Sequence, residues 1–201
     1  MYSFKYEVMI MSYKIINKQK IHSGFFKLNE ITFKHKKHDG TWSPELKREV
    51  FGGAHVVTVL PFDPIKNRIL LVSQFRVGTL KRKDDPIMLE IVAGMVDQNE
   101  TEESAAEREC FEETGCKTNK LTKILSYYPA PGSSESFYHL FLAEVDSFDG
   151  HRILGQKNEN EDILVSGYTF EEIKNLIKKR EINNAATLIA LQWFFLEIKK
   201  N

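Results

Sequence analysis

Two neighbouring apolar runs constrain the fold of this chain more than any other feature. The first is His55–Phe62 (HVVTVLPF), and the second is Arg68–Phe75 (RILLVSQF). Continuous apolar runs of this length are typical of strands that are buried within a sheet. Asp63-Pro64 lies between the runs and predicts a turn. The closing segment Ala185–Lys199 is apolar around much of its surface, so we expect it to form a helix that packs on this sheet.

Apolar and β-branched clusters between turn signals predict further strands. They give several short strands within 12–52, notably in Ile21–Phe33, followed by a turn at His38–Gly40, and then Met88–Val92, Lys123–Tyr128, Phe137–Val145 and Ile163–Tyr168. Capping residues predict three helices: Thr101 before a helix that ends at Thr114, Thr169 before Phe170–Lys179, and Asn183 or Asn184 before Ala185–Lys199. Lys81–Asp85 and Gln156–Asp162 are expected to be loops. Gly52-Gly53 marks a boundary between an N-terminal β-domain, 1–52, and a larger domain, 53–201.

Charge and composition exclude several classes of protein. The 28 basic and 28 acidic residues cancel, whereas a general nucleic-acid or membrane-surface binder carries a large basic excess. No run approaches the ~18 apolar residues that a membrane span needs, and the N-terminus lacks the apolar stretch of a signal peptide. Cys110 and Cys116 give no disulfide framework and are interpreted as small apolar filler. These features predict a cytoplasmic location.

Three glutamates stand out near the end of the first predicted helix. Glu109, Glu112 and Glu113 are spaced i, i+3 and i+4, so they project from one side. A solvated acidic face is one interpretation, because like-charge neighbours cost only about 0.2–0.5 kcal/mol per pair. However, Glu112 and Glu113 lie at the negative end of the helix dipole, which costs about 0.3–1 kcal/mol each. A divalent cation is the natural compensation, and oxygen ligands without His or Cys favour magnesium, manganese or calcium over zinc.

The surrounding segment resembles the complete Nudix box. All seven fixed identities stand at the required spacing: Gly94, Glu100, Arg108, Glu109, Glu112, Glu113 and Gly115. Cys110 and Cys116 occupy its two bulky aliphatic positions, a departure that affects packing and not chemistry. Further segments resemble the bacterial ADP-ribose pyrophosphatase branch of that family: Gly24–Phe26, Arg48-Glu49, Leu60–Pro64, Gln74–Arg76, Leu89-Glu90, Val92–Met95, Pro131, Glu159–Asp162 and Ile182–Ala186.

The resemblance implies an α+β Nudix fold, in which a mixed β-sheet is sandwiched between α-helices and preceded by a small N-terminal β-domain. It implies Mg2+, with Mn2+ as a substitute, held by Glu109, Glu113, Glu161 and the backbone carbonyl of Ala93. Glu112 would assist, Arg108 would hold a box glutamate by a bidentate ion pair, and Glu159 would be the base. From the residues alone, Arg108 is an ordinary surface pair with Glu112, and Glu159 and Glu161 are solvent-exposed acids. Glu100 remains either a further ligand or a helix-start acid.

Substrate contacts also follow from the resemblance. They are Phe25 or Phe26 for stacking on adenine, Arg48 and Arg76 for phosphate or ribose, and Met95, Gly132 and Glu135. From the residues alone, the two phenylalanines would be core residues and the arginines would be surface residues.

The implied activity is the hydrolysis of ADP-ribose to AMP and ribose 5-phosphate, with no nucleic-acid or membrane partner. One alternative is a Nudix pyrophosphatase for another nucleoside diphosphate sugar, such as GDP-mannose. Another is a catalytically silent Nudix module that senses a nucleotide. The resembling enzymes are homodimers whose N-terminal strands exchange and complete the partner's site, so the same assembly is expected here.

Overall fold

The computed structural model describes residues 12–81, 86–156 and 160–198. Its chain divides into two units, the first formed by the described part of residues 1–53 with Ala130–Ser136, and the second by Ala54–Pro129 with the described part of residues 137–201. The strands are β1 (Tyr13–Ser23), β2 (Lys27–His35), β3 (Leu46–Phe51), β4 (His55–Asp63), β5 (Arg68–Phe75), β6 (Ile87–Glu90), β7 (Val92–Met95), β8 (Thr118–Tyr127), β9 (Phe137–Val145), β10 (His151–Leu154) and β11 (Ile163–Thr169). The α-helices are α1 (Glu102–Thr114), α2 (Phe170–Lys179) and α3 (Ala185–Glu197).

The first unit is an antiparallel three-stranded sheet in the order β1-β2-β3. Its predicted turn at His38–Gly40 is present, with Gly40 at φ +80° and the Asp39 carboxylate accepting from the Thr41 N–H at 2.9 Å. The 130–136 segment runs beside β3, because the Phe51 N–H donates to the Ser133 carbonyl at 2.8 Å. Every residue of β1 is exposed.

The second unit is built on an eight-stranded mixed sheet. Its main path runs β10-β11-β5-β4-β9-β8, while β6 pairs with β5 and β7 pairs with β4. The β4–β9 pairing is parallel, and the other pairings are antiparallel.

Alternation along the central strands separates the core into two layers, one on each face of the sheet. In β4, Val57 and Val59 belong to one cluster, and Leu60 and Phe62 belong to the other. Helix α1 adds Ala105, Ala106 and Cys110 to the first cluster, and α2 and α3 add Ile173, Ala190, Leu191 and Phe194 to the second. Successive strand residues point to opposite faces, so a strand that is apolar throughout needs cover on both sides. The predicted sandwich of a mixed sheet between helices is confirmed.

Local signals set the ends of α1. The Thr101 hydroxyl accepts from the Ser104 N–H at 3.1 Å and caps the first turn. Gly115 ends the helix in the left-handed conformation at φ +66°, and its N–H donates to the Phe111 carbonyl at 2.7 Å. No basic residue lies in the last turn to balance the helix dipole there. Cys110 and Cys116 are both free and buried, as the filler interpretation predicted.

Several predicted elements needed correction. The single strand Met88–Val92 is two strands, β6 and β7, separated at Ile91 because the Ile91 N–H donates to the Thr187 hydroxyl instead of a neighbouring strand, at 3.0 Å. Strand β10 was missed, since it is a four-residue strand at the edge of the sheet with three exposed residues. Strand β8 begins at Thr118, not Lys123, and α3 ends at Glu197.

Most of the predicted loop Lys81–Asp85 lies outside the described residues. Within the ranges that are described, no helix is long and apolar enough to cross a membrane.

Candidate active site

Strand β7 and helix α1 place three of the four predicted metal ligands near one another: Ala93, Glu109 and Glu113. β7 is fixed on the central strand β4, where Val57 pairs with Gly94 and Thr58 pairs with Ala93. A Cβ atom at Gly94 would overlap the Glu109 carboxyl group, so α1 approaches the β7 backbone too closely for a side chain there. The Ala93 backbone lies close enough to Glu113 to lower the pKa of that carboxyl. The site therefore depends on one strand and one helix in direct contact.

Glu113 is the most unusual residue of this group. It is 3% exposed, and its Oε2 atom has no hydrogen-bond partner among the described residues. Burial, together with the nearby charges of Glu109 and Glu161, raises the pKa of Glu113 to about 9. The solvated acidic face proposed above is therefore wrong for Glu113.

Glu109 lies beside Glu113 but is better compensated. Its side chain is 14% exposed. Burial raises the pKa of Glu109, the Arg108 guanidinium opposes this shift, and the charges of Glu112 and Glu161 add to it. Three carboxylates, Glu109, Glu113 and Glu161, thus act on one another electrostatically.

Arg108 donates hydrogen bonds to three glutamates of the box. Its Nε and Nη2 donate to the two oxygens of Glu100, both at 2.9 Å, which is a bidentate pair. Its Nη1 donates to Glu109 at 2.7 Å and to Glu112 at 3.2 Å, and Nη2 also donates to the Met95 carbonyl at 3.0 Å. The arginine therefore makes both the box ion pair and the i, i+4 pair with Glu112.

Glu100 is held by two neighbours. Besides its pair with Arg108, it accepts from the Asp97 N–H at 3.1 Å. The Arg108 hydrogen bond, more than any other interaction, holds the pKa of Glu100 below its usual range. These contacts give Glu100 the role of orienting Arg108 at the start of the helix.

Two hydrogen bonds to Gln156 hold Glu161 in position. Its carboxylate accepts from the Gln156 N–H at 3.0 Å, and its own N–H donates to the Gln156 carbonyl at 3.2 Å. Gly155, at φ +108°, packs so tightly against Glu161 that a Cβ atom would come within 2.7 Å of the Glu161 Cβ. The predicted base, Glu159, lies outside the described residues.

Arg76 is held by a partner that the sequence analysis did not identify. Its Nε donates to Glu90 Oε2 at 2.7 Å, and Asn184 Nδ2 donates to Glu90 Oε1. The signal available in the sequence was a single charged residue inside an apolar run, at Leu89-Glu90-Ile91. Met95, the other predicted substrate contact of the second unit, is 53% exposed.

The other predicted substrate contacts belong to the first unit. Phe25 and Phe26 are 85% and 64% exposed, so the interpretation of these rings as core residues was wrong. Arg48 is exposed on β3, and with Gly132 it lines a cavity of about 410 Å³. Glu135 accepts from Lys18 Nζ at 2.7 Å. The first unit therefore carries exposed aromatic, cationic and anionic groups.

The donor chemistry of the second unit fits a hard divalent cation. The observation that carries this is the buried Glu113 oxygen, which has no partner among the described residues and lies near a second, partly buried carboxylate, Glu109. The ligands are all oxygen atoms, which suit magnesium, calcium or manganese. In the described part of the chain, no three His, Cys, Asp or Glu side chains are already gathered into a group that could hold a metal ion.

A separate cavity of the second unit, about 780 Å³, contains none of the predicted site residues. Polar residues from β5, β11 and the α2–α3 connection line part of it: Ser73, Tyr168, Arg180, Glu181 and Asn183. Size alone therefore does not locate the carboxylate cluster.

Comparison with known proteins gives a consistent result. Residues 54–191 match the family model described as the NUDIX domain. The chain is 35% identical over 183 residues to a protein of Escherichia coli (strain K12) named ADP-ribose pyrophosphatase. This alignment covers 91% of this chain and 88% of that protein. It is 31% identical over 186 residues to a protein of Cronobacter sakazakii named GDP-mannose pyrophosphatase. That alignment covers 92% of this chain and 95% of that protein.

A solved structure titled "Crystal structure of ADP compounds hydrolase" has the same fold. It aligns with a TM-score of 0.72 and 21% identity over 94% of this chain and 95% of that chain.

Proposed function

The chain belongs to the NUDIX family and is a Nudix hydrolase, and on that premise we propose that it hydrolyses the pyrophosphate bond of ADP-ribose to give AMP and ribose 5-phosphate. The relatives named ADP-ribose pyrophosphatase support this substrate, since their similarity covers 91% of the chain. Mg2+ is the proposed cofactor, with Mn2+ as a substitute.

One observation carries the proposal: the buried oxygen of Glu113, beside Glu109 and the β7 backbone, has no hydrogen-bond partner in the part of the chain that the structure describes. Folding has placed Glu113 and Glu109 side by side in a poorly solvated position, where two ionised carboxylates are costly without a cation. Glu109, Glu113, Glu161 and the Ala93 carbonyl are the proposed ligands. When bound, a divalent cation neutralises the charge of the diphosphate and lowers the pKa of bound water.

Arg108 and Glu112 have supporting roles in this proposal. The Arg108 guanidinium is anchored on Glu100 and holds Glu109 at 2.7 Å and Glu112 at 3.2 Å. Its charge limits the repulsion among the glutamates and keeps Glu109 directed towards β7. Glu112 remains within reach of the same cluster and assists the metal ligands.

The attack of water needs a base. On the resemblance to the family, we assign this role to Glu159 and the role of metal ligand to Glu161. The two hydrogen bonds between Gln156 and Glu161 support the second assignment because they fix the Glu161 backbone and carboxylate.

Substrate recognition is assigned to charged and aromatic groups of both units. Arg76 and Arg48 would bind phosphate or ribose, and Met95, Gly132 and Glu135 would contact the substrate. Phe25 is 85% exposed, and a ring with so much free surface is suited to stacking on adenine.

A substrate panel tests the proposal. Purified protein with Mg2+ is offered ADP-ribose, GDP-mannose and a diadenosine polyphosphate, and kcat/KM is measured for each by product chromatography. We expect ADP-ribose to give the highest kcat/KM, with AMP and ribose 5-phosphate as products. The Glu113→Gln variant, purified in parallel, excludes a contaminating hydrolase.

A second candidate is another nucleoside diphosphate sugar. The relative named GDP-mannose pyrophosphatase, 31% identical, favours it. A kcat/KM for GDP-mannose equal to that for ADP-ribose would overturn the ADP-ribose assignment and leave the pyrophosphatase chemistry intact. Nucleotide binding without turnover of any panel compound would instead support the silent sensor, although the complete set of box glutamates argues against it.

We also propose a cytoplasmic homodimer with exchanged N-terminal strands. Strand β1 supports the exchange because all its residues are exposed, including the apolar Tyr13 and Ile15 at 70% and 58%. A strand with such a surface is suited to cover by a second protomer.

A further inference from the structure

The ion pair between Arg76 and Glu90 restricts the arginine side chain. Arg76 Nε donates to Glu90 Oε2 at 2.7 Å, and the Glu90 side chain is only 10% exposed, whereas that of Arg76 is 40% exposed. A charge-assisted hydrogen bond to a mostly buried carboxylate restricts a guanidinium more than a bond at the surface does. The two Nη groups of Arg76 are not part of this pair.

The second oxygen of Glu90 is also occupied. It accepts from Asn184 Nδ2, while Asn184 Oδ1 accepts from the Thr187 N–H at 2.9 Å as the N-cap of α3. Each carboxylate oxygen of Glu90 thus accepts a hydrogen bond from a different donor, Oε2 from Arg76 and Oε1 from Asn184. Only an ionised carboxylate offers an acceptor to both, since a glutamine would turn its NH2 group towards one of these donors.

Glu90 is also next to the strand that forms the metal site. It is the last residue of β6, and Ala93 of β7 follows three residues later. The positive charge of Arg76 acts on Glu113, where it lowers the pKa against the effect of burial. Arg76 therefore acts electrostatically on the carboxylate cluster, and its partner Glu90 is held by Asn184 at the N-terminus of α3.

We propose that Glu90 is a positioning residue, which holds Arg76 ready for the phosphate or ribose of the substrate and connects it to the N-terminus of α3. This inference rests on the proposed function, because that function assigns Arg76 to the substrate. Glu90 itself does not touch the reacting atoms. Its loss should therefore weaken substrate binding more than it slows the chemical step.

A double-mutant cycle tests this role. KM and kcat are measured for wild type, Glu90→Gln, Arg76→Ala and the double variant, with the best substrate of the panel. We expect Glu90→Gln to raise KM about tenfold and to change kcat less than about threefold. The double variant should match Arg76→Ala, since Glu90 has no effect once Arg76 is gone. Glu90→Asp, which keeps the charge, should restore part of the lost affinity.

Two further variants separate positioning from stability. Thr187→Val removes the acceptor for the Ile91 N–H but leaves the Arg76–Glu90 pair, so it should lower the free energy of unfolding and leave KM unchanged. Asn184→Ser keeps a good helix cap but withdraws the donor to Glu90, so it should raise KM even if Glu90→Gln folds poorly.

The inference fails if Glu90→Gln and Asn184→Ser both leave KM unchanged, or if the effects of Glu90→Gln and Arg76→Ala simply add. Those results would leave the proposed function standing, because wild type would still hydrolyse the substrate. If wild type hydrolyses none of the panel, the proposed function fails, and the inference that depends on it fails with it.

Discussion

At the scale of single residues, Glu113 accumulates unfavourable interactions. It is 3% exposed, it faces the like charges of Glu109 and Glu161, and it lies in the last turn of α1, where the dipole is negative. Its pKa of about 9 means that the metal-free carboxyl is protonated at neutral pH. The proposed binding of a cation at Glu113 would therefore release this proton.

Replacing this carboxyl tests its role. Glu113→Gln keeps the shape of the side chain but removes the charged ligand, so we expect kcat to fall at least ~10²-fold. Without metal, the variant should be at least as stable to urea as wild type, because the amide resembles the protonated acid. Glu107→Gln, an exposed change on the same helix, serves as the control. Near-normal turnover by Glu113→Gln would exclude the ligand role.

The contact between Gly94 and Glu109 gives a second residue-scale prediction. Gly94→Ala places a methyl group where the Glu109 carboxyl lies, so the flexible end of the glutamate must move. We expect kcat/KM to drop roughly 10²-fold from this displacement, while the free energy of unfolding changes by less than about 1 kcal/mol. Gly78→Ala, where nothing lies within 4 Å of the new Cβ, is the matched control. Equal activity of the two variants would contradict the predicted geometry.

At the scale of elements, local chemistry explains which predictions succeeded. The bounds of β5, β9 and α2 match the sequence analysis, because apolar runs and the Thr169 cap act over a few residues. The break between β6 and β7 could not be predicted, since it depends on Thr187, which is 96 residues further along the chain. The box glutamates could be identified by spacing, whereas Glu90 could not, because Asn184 meets it only in the folded chain.

The turn between β4 and β5 gives an element-scale prediction. Asp63 is fully buried; its Oδ1 accepts from Ile65 and Lys66 N–H groups at 2.9 and 3.0 Å, and its Oδ2 accepts from the Phe148 N–H at 2.9 Å. Burial raises the pKa of Asp63, but these hydrogen bonds outweigh it and leave the pKa below its usual range. The stabilisation is therefore complete above the unfolded value of 3.8 and disappears as the pH falls through the lower folded pKa.

Asp63→Asn should reveal this dependence. The amide turns a donor towards one of the N–H groups, so we expect a loss of about 2–3 kcal/mol in the free energy of unfolding at pH 7. Because a protonated Asp63 also loses an acceptor, the difference between variant and wild type should shrink as the pH falls below 3.8. Urea unfolding at several pH values measures it. A difference that is constant with pH would show that the charge of Asp63 does not contribute.

At the scale of the whole molecule, the proposed substrate contacts are divided between two units. Phe25, Arg48, Gly132 and Glu135 belong to the first, and Arg76 and Met95 belong to the second. Strand β1 of the first unit is exposed throughout, which supports cover by a second protomer. The proposed assembly can be measured independently of activity.

Sedimentation equilibrium tests the dimer. We expect a mass of twice 23.3 kDa for wild type. Ile15→Asp places a charge on the exposed apolar strand and should shift the equilibrium towards the monomer, whereas Lys20→Asp, on the same strand, should have a smaller effect because it removes no apolar contact. A wild-type mass of 23.3 kDa at micromolar concentration would refute the proposal.

The pairing of β7 with β4 has a consequence for solvent exchange. Along Val56–Val59, strand β4 pairs with β7 on one side and with β9 on the other, and Val57 and Val59 have no exposed surface. β7 therefore cannot detach from β4 without exposing these buried residues. The backbone amide protons that join these strands should therefore exchange with deuterium only through global unfolding, so that the backbone of the proposed metal site persists for as long as the unit is folded.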